Sequence, residues 1–159
     1  MKRYVAVCGP GLASLEEAAL AEEIGRLLAR EGAVVVCGGL GGVMEAAAQG
    51  AASEGGVAIG ILPGTDRTGQ ASALAFSIPT DMGEARNAIV VRAADALIAV
   101  GGAFGTLSEI ALALKTGVPV VGLGTWDLAR QGEPVQAFPS ASDPAEAVRM
   151  ALAMASGSA

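Results

Sequence analysis

The sequence predicts a doubly wound α/β fold in which helices cover both faces of a mostly parallel β-sheet, giving three layers, α/β/α. Short apolar runs alternate along the chain with Ala-, Glu- and Leu-rich stretches of helical period. The runs are almost continuously apolar, which is typical of strands buried on both faces of a parallel sheet. Such alternation of strands and helices is typical of strand–helix–strand units joined by right-handed crossovers.

The short apolar runs are the clearest signal in the sequence, and each of them predicts a β-strand. They predict strands over residues 3–8, 33–37, 57–61, 95–100 and 118–122. Capping signals then place several helix ends. Ser14 and Glu17 are spaced as a capping box that opens a helix, which Gly32 ends. Asp143, followed by proline, is expected to cap the C-terminal helix, and Gly117 to end the helix before the last strand.

Length and charge limit the function classes. The chain has 159 residues, within the roughly 100–200 that one domain usually takes. We therefore expect one domain over residues 1–155 and a flexible tail over 156–159. The net charge of −6 disfavours nucleic acid and anionic membranes as partners, since both require a basic footprint. The absence of histidine excludes Ser-His-Asp and Cys-His catalysis and His-ligated metals.

No targeting or membrane segment is expected. The apolar run that follows Lys2 and Arg3 ends at Gly9, which is too short for the core of a signal peptide. The apolar stretch over 88–100 is interrupted by two charged residues and stays well below the roughly 20 residues of a membrane-spanning helix. We therefore expect a cytoplasmic protein.

Glycine clusters follow three of the predicted strands, at 9–11, 38–42 and 101–106, and each leads into a helix. In open α/β sheets ligands bind outside the carboxyl ends of the strands, where backbone N–H groups and helix dipoles face one crevice. Glycine-rich turns also occur for tight geometry alone. Three clusters at one edge nevertheless favour a site for phosphate or another anion. The residues expected to line one crevice are Gly9, Gly39, Gly41, Gly102, Gly105 and Thr106.

The common nucleotide motifs are absent from the sequence. No G-x-G-x-x-G follows the first strand, the second strand ends without an acid for a ribose hydroxyl, and there is no P-loop. NAD and ATP are therefore disfavoured. Cys8 and Cys37 are too few for a four-cysteine zinc site, and we expect them to be small buried residues. No metal site and no required cofactor are expected.

Two charged residues fall near the predicted crevice. Glu109 stands three residues after Thr106, so a capping box explains it without a ligand. Arg86 lies at the expected start of a helix over 85–94, where a cation opposes the helix dipole. Pairing with Glu84 or another acid would account for its position, and so would an anionic ligand.

The helices expected near 85–94 and 106–114 are rich in apolar residues on more than one face. A helix that is apolar all round is buried on all sides, and a chain of this size has little depth to bury it. These helices therefore predict a homodimer or a homotetramer with closed symmetry.

Five segments occur in a characteristic order: Cys-Gly-Pro-Gly at 8–11, Gly-Gly-Leu-Gly-Gly-Val-Met-Glu-Ala at 38–46, Gly-Ile-Leu-Pro-Gly at 60–64, Gly-Glu-Ala-Arg-Asn at 83–87 and Gly-Ala-Phe-Gly-Thr-Leu-Ser-Glu at 102–109. Over about residues 4–125 the chain resembles the Lonely Guy-like Rossmann superfamily, and within it the branch of the molybdenum cofactor carrier proteins. The resemblance implies a Rossmann-like fold and a phosphorylated ligand. The lysine decarboxylase label that bacterial members often carry has no support in these residues.

The Lonely Guy enzymes cut a nucleoside 5′-monophosphate at its N-glycosidic bond, releasing a base and ribose 5-phosphate. The segment that ends at Glu109 is similar to their Gly-Gly-x-Gly-Thr-x-x-Glu motif, with one extra residue among the glycines. Arg86 matches the arginine of their Met-x-x-Arg-Lys pattern, whereas Gly83 and Asn87 replace its methionine and lysine. Val100 replaces the proline that usually precedes the glycines. These differences favour the carrier branch, which uses the same crevice for a phosphorylated pterin.

The sequence and the resemblance together predict a binding protein for a phosphorylated small molecule, either a molybdopterin-type cofactor or a nucleoside monophosphate. The alternative is a nucleoside 5′-monophosphate phosphoribohydrolase in which Arg86 and Glu109 are catalytic. The expected ligand-binding residues are Gly9, Gly11, Gly39, Gly41, Gly42, Met44, Arg86, Asn87, Gly102, Gly105 and Thr106.

Overall fold

The structure, a computed structural model, describes residues 1–157 and contains a six-stranded parallel sheet. The strands lie in the order β4-β3-β2-β1-β5-β6, so the strand order reverses beside β1. The predicted doubly wound, three-layer architecture is confirmed. The strands are β1 (Tyr4–Cys8), β2 (Val34–Cys37), β3 (Val57–Leu62), β4 (Phe76–Pro79), β5 (Ala96–Val100) and β6 (Val120–Leu123).

Within residues 1–157, five α-helices cover the two faces of the sheet. Helices α1, α2 and α5 pack on the face that carries Val5 and Val7, and α3 and α4 pack on the face that carries Ala6 and Cys8. This alternation is the period of two expected for a strand buried on both faces. The helices are α1 (Leu15–Arg30), α2 (Val43–Ser53), α3 (Asn87–Arg92), α4 (Phe104–Thr116) and α5 (Pro144–Ser156).

The predicted helix ends are confirmed where they depend on local signals. Ser14 and Glu17 form the reciprocal capping box of α1. The Asp143 side chain accepts a hydrogen bond from the backbone N–H of Glu146 at the start of α5. Gly117 follows α4 in the left-handed conformation, at φ 78°. Each signal acts within four residues, which is why the sequence alone identifies it.

Three short strands were not predicted. β4 is the edge strand next to β3, and it has exposed apolar side chains at Phe76 and Ile78 and ends in proline. The other two, β7 (Leu128–Arg130) and β8 (Glu133–Val135), form a separate antiparallel hairpin. None of the three is apolar throughout, so they lack the pattern that identifies strands buried on both faces.

The close packing of α1 on α2 explains part of the high glycine content. A Cβ atom on Gly25 would overlap the carbonyl oxygen of Ala47, and one on Gly50 would overlap the carbonyl oxygen of Glu22. The two helix backbones therefore approach more closely than larger residues would allow.

Of the tail predicted over 156–159, Ser156 is the last residue of α5, and residues 158 and 159 lie outside the described residues. Within residues 1–157 no helix is both long and apolar enough to cross a bilayer.

Candidate functional site

A cavity of about 450 Å³ opens at the carboxyl ends of β1 and β5. The chain leaves β1 towards β2 on one side and later places β5 on the other, so this is the switch point where ligands bind in doubly wound sheets. The segments that follow β1, β2, β3, β4 and β5 supply its walls. The lining residues are Gly9, Pro10, Gly11, Leu40, Met44, Pro63, Glu84, Arg86, Asn87, Ala103, Phe104, Gly105, Thr106, Ser108 and Glu109.

Two helices begin at this cavity without a side-chain cap. Helix α2 has Gly42 at its N-cap and α4 has Ala103, and neither makes a side-chain hydrogen bond to the first turn. By contrast, α1 and α5 are capped by Ser14 and Asp143. The first N–H groups of a helix have no partner within the helix and carry the positive end of its dipole. The uncapped first turn of α4 is therefore available to an anion.

Thr106 is a buried donor in that first turn. The capping box predicted for Thr106 and Glu109 is wrong, because α4 begins at Phe104 and both residues lie inside the helix. Thr106 is 1% exposed, and its Oγ1 has no hydrogen-bond partner among the described residues. Leaving a buried hydroxyl unpaired costs about 1–3 kcal/mol. A ligand in the cavity would supply the missing partner.

Arg86 is a second buried donor. The helix predicted over 85–94 is shorter: a 3-10 turn (Gly83–Arg86) precedes α3, and Arg86 is the residue that joins the two. Its guanidinium donates hydrogen bonds to the Asn87 Oδ1 and, at 3.2 Å, to the Gly38 carbonyl oxygen. The predicted pairing with Glu84 is not among the ion pairs of residues 1–157, and the Arg86 Nε lacks a hydrogen-bond partner there. Arg86 is 8% exposed, and within residues 1–157 its guanidinium has no salt-bridge partner.

A chain of hydrogen bonds connects Arg86 to the first turn of α4. The Asn87 Nδ2 donates to the Ser108 Oγ at 3.1 Å, and the Ser108 hydroxyl donates to the Gly105 carbonyl oxygen at 2.7 Å. Because these bonds join α3 to α4, they hold the guanidinium and the uncapped helix end in a fixed relation across the cavity.

Glu109 is 7% exposed and lies between Arg86 and the Cys8 thiol. Burial raises the pKa of its carboxyl to about 7, although the hydrogen bond from Cys8 and the charge of Arg86 act in the opposite direction. Burial likewise raises the pKa of the Cys8 thiol well above its ordinary value and that of Cys37 to about 11. Both cysteines are buried and free, in line with the buried role expected for them.

The structure brings most of the predicted ligand-binding residues together. Those that line the cavity are Gly9, Gly11, Met44, Arg86, Asn87, Gly105 and Thr106, together with Glu109. Gly105 has nothing within 4 Å of the place where a Cβ atom would stand, so its missing side chain leaves free space in the cavity.

Four glycines of the predicted ligand-binding set are not among the residues that line the cavity, and a contact between them and a ligand stays a prediction. They are Gly39, Gly41, Gly42 and Gly102. At Gly42 the φ is +65°, and a Cβ atom there would lie 2.6 Å from the carbonyl oxygen of Gly11. Left-handed backbone and close loop contact both require glycine. The turn before α2 therefore requires glycine at position 42 with or without a ligand.

The comparisons with known proteins agree with this architecture. The sequence model of the SLOG cluster4 family matches residues 2–151. The chain belongs to the SLOG cluster4 family. The resemblance to the Lonely Guy-like Rossmann superfamily and its molybdenum cofactor carrier branch is therefore confirmed.

An uncharacterized protein of Archaeoglobus fulgidus is 49% identical to this chain over 119 residues. These residues are 75% of this chain and 78% of the relative. The molybdenum cofactor binding protein of the phototrophic bacterium Rippkaea orientalis is 36% identical, with a TM-score of 0.87 over 97% of this chain and 98% of its own. The molybdenum cofactor carrier protein of Chlamydomonas reinhardtii is 32% identical, with a TM-score of 0.84 over 98% and 99% of the two chains.

Some of the residues that build the site were not predicted from the sequence. Gly38 is one: a Cβ atom there would lie 2.6 Å from the Arg86 Nη2 and 2.7 Å from the Met44 Sδ. Ser108, which connects Asn87 to α4, is another. Ser108 stands between two motif residues and so could have been found, whereas the role of Gly38 depends on a residue 48 positions away.

Proposed function

We propose that this protein binds a phosphorylated small molecule at the cavity and acts as a carrier for a pterin phosphate of the molybdenum cofactor type. The observation that carries the proposal is the pair of unpartnered donors, the Thr106 Oγ1 and the Arg86 Nε, beside the uncapped start of α4. A hydroxyl, a guanidinium and free N–H groups of a first helical turn are the donor set that phosphate takes in proteins.

The charge of the site is compatible with such a ligand. Although the chain carries −6 overall, the buried carboxyl of Glu109, which interacts with the Arg86 charge, has a pKa of about 7 and is therefore about half neutral near pH 7. A neutral carboxyl does not repel a phosphate and can donate a hydrogen bond to it. Burial of Glu109 thus leaves the Arg86 charge available to the ligand.

The residues present fit the phosphate end of a molybdopterin-type cofactor. Thr106, Arg86 and the first-turn N–H groups at Phe104 and Gly105 would hold that end. The cofactor would be the cargo of the protein, and the described residues include no cluster of three or more His, Cys, Asp or Glu side chains that could hold a metal ion. The similarity to the carrier and binding proteins of Chlamydomonas reinhardtii and Rippkaea orientalis supports this choice of cargo.

Native mass spectrometry of the protein purified without denaturation tests the proposal, together with calorimetric titration by inorganic phosphate. We expect a bound pterin phosphate, and phosphate affinity that Arg86→Met abolishes. The matched control is Arg67→Met, because Arg67 bonds to Ser77 outside the cavity and should leave phosphate affinity unchanged. Equal affinity in both variants would overturn the proposal.

A second candidate function is the phosphoribohydrolase, and one observation favours it: Glu109 and Arg86 line the same cavity. Cleavage of an N-glycosidic bond develops positive charge on the sugar, which an ionised Glu109 would stabilise. The test is release of ribose 5-phosphate from AMP. Turnover by the wild type that Glu109→Gln lowers by roughly 10²–10³, while Glu84→Gln does not, would establish this candidate and overturn the carrier role.

The cellular location, assembly and partners that we propose are those predicted from the sequence. We propose a cytoplasmic homodimer or homotetramer that uses no nucleic-acid or membrane partner. The half-buried apolar side chains Leu112 and Leu114 of α4 and Ile89 of α3 support an interface between subunits on that face.

A further inference from the structure

An aromatic pair stands at the mouth of the cavity. The Phe104 ring lines the cavity and is 81% exposed, and its centroid lies 5.7 Å from that of Trp126, with an angle of 34° between the planes. The chain contains three phenylalanines and a single tryptophan. Phe104 and Trp126 together leave exposed apolar surface at the opening of the cavity, where a bound ligand would cover it.

Trp126 is fixed in position by the residues before α4. Its Nε1 donates a hydrogen bond to the Ala103 carbonyl oxygen at 3.3 Å. Gly102 makes room for the indole, since a Cβ atom there would lie 3.0 Å from the Trp126 Nε1. Gly102, which is predicted to bind the ligand, thus also lies against Trp126. The indole in turn supports the edge of the Phe104 ring.

The first turn of α4 joins this aromatic pair to the phosphate donors. Phe104 and Thr106 are the first and third residues of α4, so their Cα atoms are about 3 Å apart along the helix axis. Thr106 is turned into the protein and Phe104 towards the opening. A ligand held by the free N–H groups of this first turn and reaching the opening of the cavity would pass the Phe104 ring.

We propose that Phe104, supported by Trp126, stacks on a planar heterocycle of the ligand, so that the site selects phosphate monoesters of aromatic heterocycles over sugar phosphates and inorganic phosphate. This inference rests on the proposed function, because it assumes the phosphate at Thr106. Stacking on an aromatic side chain is worth about a 5- to 150-fold gain in affinity per base, and the apolar residues Leu40, Met44 and Pro63 on the cavity wall suit a flat ring.

The experiment compares guanosine 5′-monophosphate, ribose 5-phosphate and inorganic phosphate by calorimetric titration of the intact protein. We expect the wild type to bind the nucleotide about 5- to 150-fold more tightly than ribose 5-phosphate. Phe104→Ala should remove that difference and leave the affinity for ribose 5-phosphate unchanged, and Phe104→Leu should recover only part of it. The fluorescence of Trp126, the single tryptophan, should change with the nucleotide and not with inorganic phosphate.

The outcomes separate the two proposals. Two results together support the phosphate site and the stacking on Phe104. Thr106→Val should lose affinity for all three ligands, and the Phe104 variants should lower the affinity for the nucleotide alone. If the Phe104 variants lower all three affinities equally, or none, stacking is overturned while the phosphate site survives. If the wild type binds none of the three, the proposed function fails. Light scattering on each variant provides the last check: a change of oligomeric state in Phe104→Ala would make this ring a subunit contact and overturn the inference.

Discussion

Replacement of Thr106 by valine should make the protein more stable and a poorer binder. The side chain is 1% exposed and its Oγ1 has no partner among the described residues. Valine keeps the branched shape and removes the unpaired hydroxyl, so the free energy of unfolding should rise by about 1–3 kcal/mol. In a chain of 159 residues that corresponds to a Tm increase of at least about 2 °C. Loss of a hydrogen bond to a charged phosphate should weaken binding by roughly 10- to 150-fold.

Thermal unfolding with and without inorganic phosphate measures both effects. Phosphate that binds the native state raises the Tm of the wild type, and this rise should disappear in Thr106→Val. The matched control is Thr116→Val at the other end of α4, where the hydroxyl already donates to the Leu112 carbonyl oxygen at 2.8 Å. That variant has no unpaired group to remove, so its Tm should not rise and its response to phosphate should persist. A lower Tm in Thr106→Val, or an unchanged response to phosphate, would refute the reasoning.

Other predictions follow from the same site. Because the pKa of Glu109 is about 7 in the folded protein against 4.5 ordinarily, the native state holds this proton more tightly. The unfolding free energy of the wild type relative to Glu109→Gln should therefore fall by about 3 kcal/mol as the pH rises from 4.5 to 7, and then level off; a flat difference in denaturant titrations would contradict this. Gly105→Ala should leave the Tm unchanged within about 2 °C, since its Cβ meets free space, yet weaken phosphate binding in calorimetry; unchanged affinity would place the phosphate elsewhere. Gly38→Ala should lower stability by about 1–3 kcal/mol, because the new methyl group collides with the Arg86 guanidinium, and a wild-type Tm would show that the guanidinium can move away. Light scattering at micromolar concentration should give a dimer or a tetramer, and a monomer would contradict the assembly predicted from α3 and α4.

The sequence by itself determined the features that depend on neighbouring residues. The capping box of Ser14 and Glu17 and the glycine that follows α4 act over a few positions, so their residue types are sufficient to identify them. The five strands predicted from the sequence, β1, β2, β3, β5 and β6, are rich in apolar residues, and this pattern does not depend on which strands become neighbours. The edge strand Phe76–Pro79 escaped prediction because it is half exposed, and its pairing with β3 is a property of the sheet.

The position of the cavity followed from a general rule, and most of the predicted ligand-binding residues line it, but the sequence did not separate the glycines that face it from those that do not. Parallel strands place their carboxyl ends at one edge, so the three glycine clusters could be assigned to that edge from the sequence. Which glycines face the cavity depends on loop conformation, as the left-handed backbone of Gly42 shows. Spacing alone could not separate Gly105, which leaves free space in the cavity, from Gly102, which lies against Trp126.

Only the tertiary structure decided what Thr106, Glu109 and Arg86 do. The capping-box spacing of Thr106 and Glu109 fitted a helix with Thr106 at its N-cap, three residues after Ala103, the actual N-cap of α4. Once α4 begins at Phe104, both side chains point into the protein, and burial determines their chemistry: a hydroxyl without a partner and a carboxyl with a pKa of about 7. The Arg86 guanidinium meets Gly38 across 48 positions of sequence. Desolvation and contacts of this range arise from the packing of distant segments, and the local pattern of residues does not contain them.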